Sequence, residues 1–178
     1  MPNILKHLGI RDLTAFTKDE KWPKNLFDEA LRLLPVGHCN NSVCHRATFL
    51  YGELYEHEQL DEPLHENLHE LFGVHDMELF GHLATMVRAG HVVDASGHDV
   101  YLPNLDRMKL PSAFIHGKQN RCYLPTSTEQ TFELLVERFG ATHYSRHVID
   151  GYGHIDCIFG KNAARDVYPA IGQHLDAY

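Results

Sequence analysis

The stretch His143-Tyr-Ser-Arg-His-Val-Ile-Asp150, followed by Gly151-Tyr152-Gly153-His154-Ile155-Asp156, decides how the chain is read. Its first eight residues form a strand candidate, and the glycines after it permit the tight turn that a loop leaving a strand needs. Upstream, Leu110-Pro-Ser-Ala-Phe-Ile-His-Gly117 is a short apolar run with a glycine exit, which reads as a buried strand. Between the two, Ser127 and Gln130 offer a capping box for a helix carrying Phe132, Leu135 and Phe139 and stopped by Gly140. A last helix places Val167, Ile171 and Leu175 on one stripe, with Pro169 expected to kink or restart it. Strand, helix, strand, helix is the pattern of parallel α/β structure. Two parallel strands make a poor sheet alone, so residues 91–178 are expected to be the edge of something larger.

Residues 1–90 follow a helical period instead. Pro23 leads into Leu26, Phe27, Ala30, Leu31 and Leu34, and Pro35 to Gly37 ends that helix. Ser42 is expected to cap a helix with Val43, Ala47, Leu50 and Leu54 on one face. Asp61 and Pro63 open a third, carrying Leu64, Leu68, Leu71 and Phe72, with Gly73 as its left-handed stop. Asp76 starts a fourth, through Leu79, Phe80, Leu83 and Val87 to Gly90. The two parts are expected to form a single structural unit.

With 178 residues, 43% of them hydrophobic, the chain can bury a real core. A formal net charge of -8 without any Lys/Arg run gives no footprint for a polyanion, so no nucleic-acid partner is expected. No run approaches the roughly 20 apolar residues of a membrane span. Because the N-terminus lacks a secretory design, the expected location is cytoplasmic, with the four cysteines (Cys39, Cys44, Cys122, Cys157) reduced. No glycine-rich cofactor fingerprint is present, and no cofactor is expected.

His154 carries the strongest chemical signal. In open α/β sheets functional groups sit at the carboxyl ends of strands, and a near-neutral imidazole there suits general-base work. The alternative is a histidine satisfying hydrogen bonds in a turn. The run Gly-Tyr-Gly-His154-Ile-Asp-Cys-Ile-Phe-Gly through Val-Tyr168 resembles the end of acid lipases, where the catalytic histidine precedes Leu-Asp-Phe-Ile-Trp-Gly and an Ala-Pro-x-x-Val-Tyr helix. Leu110 to Pro125 is similar to that family's penultimate strand and loop, with Asn120 where its aspartate belongs, and Phe80 to Gly90 is similar to the last helix of its cap. A closer likeness is to the hydrolase-like tail of bacterial cholesterol oxidases of the glucose-methanol-choline oxidoreductase family.

This resemblance implies an α/β class with a partial α/β-hydrolase fold: a helical cap, then the last two parallel strands and their helices. It implies His154 and Asn120 as catalytic residues, with Tyr152, Phe80 and Tyr123 lining a site for a lipid, ester or sterol-like molecule. Two departures shape the expected function. No G-x-S-x-G elbow occurs, and Ser96 and Ser112 do not replace it, so nucleophile and oxyanion hole are expected N-terminal to Met1. The position of the triad aspartate holds an amide, which can position an imidazole but adds no charge. Asp106, Asp150 and Asp156 are read as structural, Asp156 as packing under the loop. The expectation is an incomplete serine-hydrolase module, inactive alone. Its partner would be the missing hydrolase portion or a second copy; the alternative is a non-catalytic assembly module or the tail of a cholesterol-oxidase-like flavoprotein.

Two metal patterns compete in the first half. His38-Cys39 with Cys44-His45 brings two thiols and two imidazoles together in sequence, but a site there would unwind the start of a helix, so the cysteines are read as small hydrophobes. His65-Glu66-Asn67-Leu68-His69 matches the letters H-E-x-x-H of zinc peptidases. Both imidazoles are placed on a solvated helix flank and no metal site is expected, with a zinc peptidase acting through His65, Glu66 and His69 kept as the lesser alternative.

Overall fold

The computed structural model describes residues 12–14, 39 and 41–178, so the expected helix from Pro23 to Leu34 lies outside the described residues. In chain order, β1 (Asp12–Thr14) pairs antiparallel with β2 (Val74–Asp76). Among the described residues, helices α1 (Ser42–Tyr51), α2 (Glu62–Glu66) and α3 (Met77–Ala89) make up the regular helix of the first part. Then come β3 (Ser112–Gly117), α4 (Pro125–Phe139) and β4 (Tyr144–Ile149), followed by three helices: α5 (Asp156–Phe159), α6 (Ala163–Asp166) and α7 (Tyr168–Asp176). The class is mixed helix and strand. β3 and β4 run parallel, in register from Ser112 opposite Tyr144 to Gly117 opposite Ile149, with α4 as the crossover.

Local chemistry explains most boundaries and corrects several expected ones. The cap of α1 is Asn41, not Ser42: its side-chain oxygen accepts from the N–H groups of Val43 and Cys44. That helix stops at Tyr51, because Gly52 takes φ 85°, and Leu54 falls in the loop beyond. Asp61 caps α2 as expected, accepting from the Leu64 N–H at 2.8 Å. The helix breaks at Asn67, and Leu68–Glu70 continues as a 3-10 turn; Gly73 is not left-handed. Leu68 is buried, whereas Leu71 is exposed. Asp76 and a left-handed Gly90 bound α3 as the sequence implies, although Leu79 and Val87 of its expected inner face are exposed.

In the second part, Ser127 lies inside α4, which starts at Pro125 without a side-chain cap, so the expected capping box is not formed. Pro fits there because the first helical N–H has no partner to lose. Pro169 restarts the last helix as α7 after α6 ends at Asp166. Of its expected stripe, Val167 is buried and Leu175 exposed.

Among the described residues the apolar interior has two centres. One gathers Cys44, Ala47, Leu60, Leu68 and Phe72, with Ile155 and Phe159 packed against it. The other gathers Tyr152, Cys157, Ala163 and Val167 against Ile115 and Ile149 of the two parallel strands. Among the described residues no helix is long and apolar enough to cross a membrane.

Candidate functional site

Where β3 and β4 end side by side, each emits a loop. The two loops are laced by backbone bonds: the Lys118 N–H donates to the Ile149 carbonyl at 2.8 Å and the Gln119 N–H to the Tyr152 carbonyl at 2.9 Å. Gln119 adds its side chain, its Oε1 accepting from the Gly151 N–H at 2.8 Å. Gly117 makes this lacing possible. A Cβ there would lie 1.9 Å from the Gly153 carbonyl oxygen and 2.3 Å from that of Tyr152, inside van der Waals contact with backbone that cannot swing aside.

The first part of the chain grips the histidine loop from the other side. The Leu54 carbonyl accepts both the His154 and Ile155 N–H groups at 2.9 Å. The Gln59 side chain donates to the Gly151 carbonyl at 3.0 Å. Asp156, fully buried, receives the Gly153 N–H at 2.9 Å and the Glu56 N–H at 3.1 Å on one oxygen, Oδ2. Its buried Oδ1 has no hydrogen-bond partner, and burial raises this carboxyl above its ordinary value against the pull of backbone N–H donors and of His154. Asp156 therefore packs under the loop as expected of it. Asp150 pairs with Lys118 and Asp106 with Arg138, both at the surface.

His154 faces Asn120. The Asn120 side-chain nitrogen lies 3.3 Å from His154 Nδ1, and the Tyr123 ring centroid is 5.0 Å from that of the imidazole. Asn120 is itself buried and held: its Oδ1 accepts from the Cys122 N–H at 3.0 Å and the Tyr123 N–H at 2.9 Å. Two backbone donors identify the oxygen, so the NH2 end is the one that meets the ring. An amide NH2 can only donate, hence Nδ1 of neutral His154 is the acceptor and the ring proton sits on Nε2. Burial lowers the His154 pKa, the nearby His116 lowers it further, and the Asp156 charge opposes both.

His116 went unmarked in the sequence reading, though it stands in the run Phe-Ile-His-Gly. It is buried at the end of β3, with Nε2 2.8 Å from the Tyr123 carbonyl and Nδ1 3.2 Å from the Thr128 hydroxyl. It thereby anchors the loop that carries Asn120. A histidine one residue before the strand's glycine exit was the available signal.

The other expected binding residues are placed differently. Tyr152 is 1% exposed, its ring in the core and its hydroxyl donated to Asp166 at 3.0 Å; burial and that contact push its phenol up to about 12. It supports the loop from below and presents no surface to a ligand. Phe80 stacks on Tyr51 at 5.8 Å, and Tyr51 stacks in turn on Phe72 at 5.7 Å, an aromatic column within the first part of the chain. Tyr123 alone of the three meets His154. A cleft lined by His143, Tyr144, His147, His174 and Tyr178, and a groove lined by Cys44, Glu53, Tyr55, His57 and Arg121, are both formed without His154.

The H-E-x-x-H letters do not share a helix. His65 belongs to α2 and His69 to the 3-10 turn beyond the break at Asn67. The thiols behave otherwise than their neighbours in sequence implied: His45 Nε2 donates to the Cys39 carbonyl, while Cys39 Sγ lies 3.2 Å from His65 Nε2. All four cysteines are free.

No family model matches the chain, and comparison with curated proteins and with solved structures finds no match.

Proposed function

We propose that this chain is the histidine-and-cap portion of a lipase- or esterase-like α/β-hydrolase, a module that has no hydrolytic activity by itself. One observation carries the reading: His154 leaves the tip of β4 and meets, through Nδ1, the side chain of Asn120 at the tip of the parallel neighbour β3. That is where the third member of a Ser-His-acid triad orients its imidazole. The substrate class that goes with it is a lipid, ester or sterol-like molecule brought to the Tyr123 side of the ring.

The polarity of the contact supports the second half of the reading. A triad carboxylate accepts the Nδ1 proton and leaves the Nε2 lone pair free to take a proton from serine. Here the amide donates into Nδ1, and the neutral ring offers Nε2–H, a donor where a base is wanted. In a serine protease, exchanging the carboxylate for its amide costs about 10⁴-fold in turnover with the geometry intact, through the same tautomer reversal. A nucleophile delivered by another segment would therefore meet a histidine in the wrong protonation form.

Nitrophenyl ester hydrolysis by the purified chain, with His154→Ala beside it, tests this. The expected result is no difference between them; robust hydrolysis that disappears in the variant would overturn it.

A second reading, an assembly module, has its own support. Among the described residues the parallel sheet has two strands only, and Leu110, Leu124 and Leu134, on the segments flanking it, are exposed. Such a sheet pairs further strands readily. Sedimentation would show self-association if a second copy completes it, whereas a monomer with a sharp cooperative melt would count against an unfinished sheet.

A further inference from the structure

From the side chains brought together in the first part of the chain, we infer that Cys39, Cys44, His57 and His65 form a structural zinc site. One ligand atom from each, two thiols and two imidazole nitrogens, lies within 4.8 Å of all the others. Cys39 Sγ is 3.2 Å from His65 Nε2, Cys44 Sγ is 3.8 Å from His57 Nδ1, and the two imidazole centroids are 4.6 Å apart, edge to face. Tetrahedral zinc with its ordinary bond lengths requires ligand–ligand edges of about 3.3 Å between nitrogens, about 3.6 Å between sulfur and nitrogen and about 3.8 Å between sulfurs. The two sulfur–nitrogen pairs, at 3.2 and 3.8 Å, lie on either side of their value, and the widest pairs, within 4.8 Å, must draw in by side-chain rotation.

Each sulfur meets a hydrogen-bond donor, although burial holds the Cys44 thiol above its ordinary value. The Asn41 N–H points to Cys39 Sγ at 3.5 Å, and the Tyr55 hydroxyl donates to Cys44 Sγ at 3.1 Å. Donors of this kind stabilise sulfur that carries charge and orient it toward a metal. The scaffold is fixed as well: Asn41 caps α1 with its oxygen and donates its amide to the His65 carbonyl at 2.7 Å, tying the cysteine pair to α2, while His45 holds the Cys39 carbonyl at 2.6 Å. Cys44 is 1% exposed within the first turn of α1, so the helix need not unwind to offer its thiol. A groove lined by Cys44, Tyr55 and His57 borders two of the four ligands.

A set of two sulfurs and two nitrogens in tetrahedral order selects zinc among the common divalent ions. Four protein ligands leave no open position for water, which makes the ion a staple and separates this site from a peptidase centre. The ligands come from the turn before α1, from α1, from the 3-10 turn at His57–Gln59 and from α2. One ion would thus clamp the segment between Cys44 and His57, the segment whose Leu54 and Glu56 grip the His154 loop. The inference stands on these contacts and not on the hydrolase reading.

The test uses the full chain, purified without a histidine tag or chelator and analysed for metal by mass spectrometry. About one zinc per chain is expected, as is a thiolate-to-metal charge-transfer band with the visible ligand-field absorption of a tetrahedral ion after Co2+ exchange. Cys39→Ser and His65→Ala should lose the ion, and His69→Ala, which removes the other imidazole of the H-E-x-x-H letters, should keep it. So that a poorly folded ligand variant does not decide the outcome, the Co2+ spectrum of the unmutated chain is read independently. Absence of metal and of both absorptions, an oxidised Cys39–Cys44 pair in the intact mass, or loss of the ion in His69→Ala with retention in Cys39→Ser would each overturn the assignment.

Discussion

The loop at 151–156 and the cluster of Cys39, Cys44, His57 and His65 are both built around imidazoles, and they are built in opposite ways. In the loop, one short segment carries most of its own instructions: Leu54, Glu56, Gln59 and Gln119 bond to its main-chain groups or to the Asp156 carboxylate, while Asn120 from the neighbouring loop meets the imidazole. In the cluster, no segment carries the arrangement; side chains from three elements and from Cys39 ahead of α1 meet. The first kind of site survives as a motif. The second exists only once the chain is folded, which makes it sensitive to packing and to whatever binds there.

The largest effect expected on the loop comes from Gly117→Ala. The added methyl meets two carbonyl oxygens of the loop backbone, so either the sheet end or the histidine loop must move. Overpacking against backbone should cost about 3 kcal/mol or more, measured by urea unfolding, and His154 resonances should shift with it. Near-native stability would mean that the two loops are less tightly laced than described.

Next is Asp156→Ala, which leaves the Gly153 and Glu56 N–H groups buried without an acceptor. At about 1–3 kcal/mol for each stranded group, a loss of roughly 2–6 kcal/mol is expected. Asp156→Asn keeps an oxygen for both donors and should cost far less. It should also flatten the acid side of the stability profile. The carboxyl's folded pKa is raised, so the native state takes up its proton first, and its contribution to stability improves as pH falls through the folded pKa toward the ordinary value of 3.8. The amide variant lacks that gain.

How much of this was legible follows from where the information lies. Gly151 and Gly153 bracket a histidine after an apolar run, so the strand, the turn and the position of His154 are local and could be read directly. Asn120 needed the lipase resemblance to single it out, since 34 residues separate it from His154. Tyr152 was placed at a ligand by the lipase resemblance alone; the Asp166 side chain, which draws its hydroxyl inward, comes from a helix further along the chain. The cysteine cluster was misassigned for a geometric reason. Adjacent residues on a helix point about 100° apart, so with Cys44 inside α1 its neighbour His45 turns elsewhere, and the imidazoles arrive from His57 and His65. The surplus of histidine, fifteen in all, was the signal, but spacing named the wrong partners.

The smallest effect on stability, and the sharpest on chemistry, is expected from Asn120→Asp. A carboxylate in that place can accept the Cys122 and Tyr123 N–H groups with one oxygen and the His154 Nδ1–H with the other, so the fold should change by less than about 1 kcal/mol at neutral pH. The ring, however, should reverse its tautomer. In the natural chain the His154 pKa is lowered, chiefly by burial, so the unfolded chain binds the proton first; stability should fall as pH drops from about 6.5 toward the folded value. In the variant a negative charge beside the ring raises the pKa. Once it exceeds the unfolded value, the same imidazole contributes stability that is complete below about 6.5 and fades as pH rises through the folded pKa, the opposite slope. Nitrogen-15 spectra of the imidazole read both quantities directly: Nε2–H with a depressed midpoint before substitution, Nδ1–H with an elevated one after it. Finding Nδ1–H already in the natural chain would reverse the assigned polarity of the Asn120 contact and remove the reason for holding the module inactive.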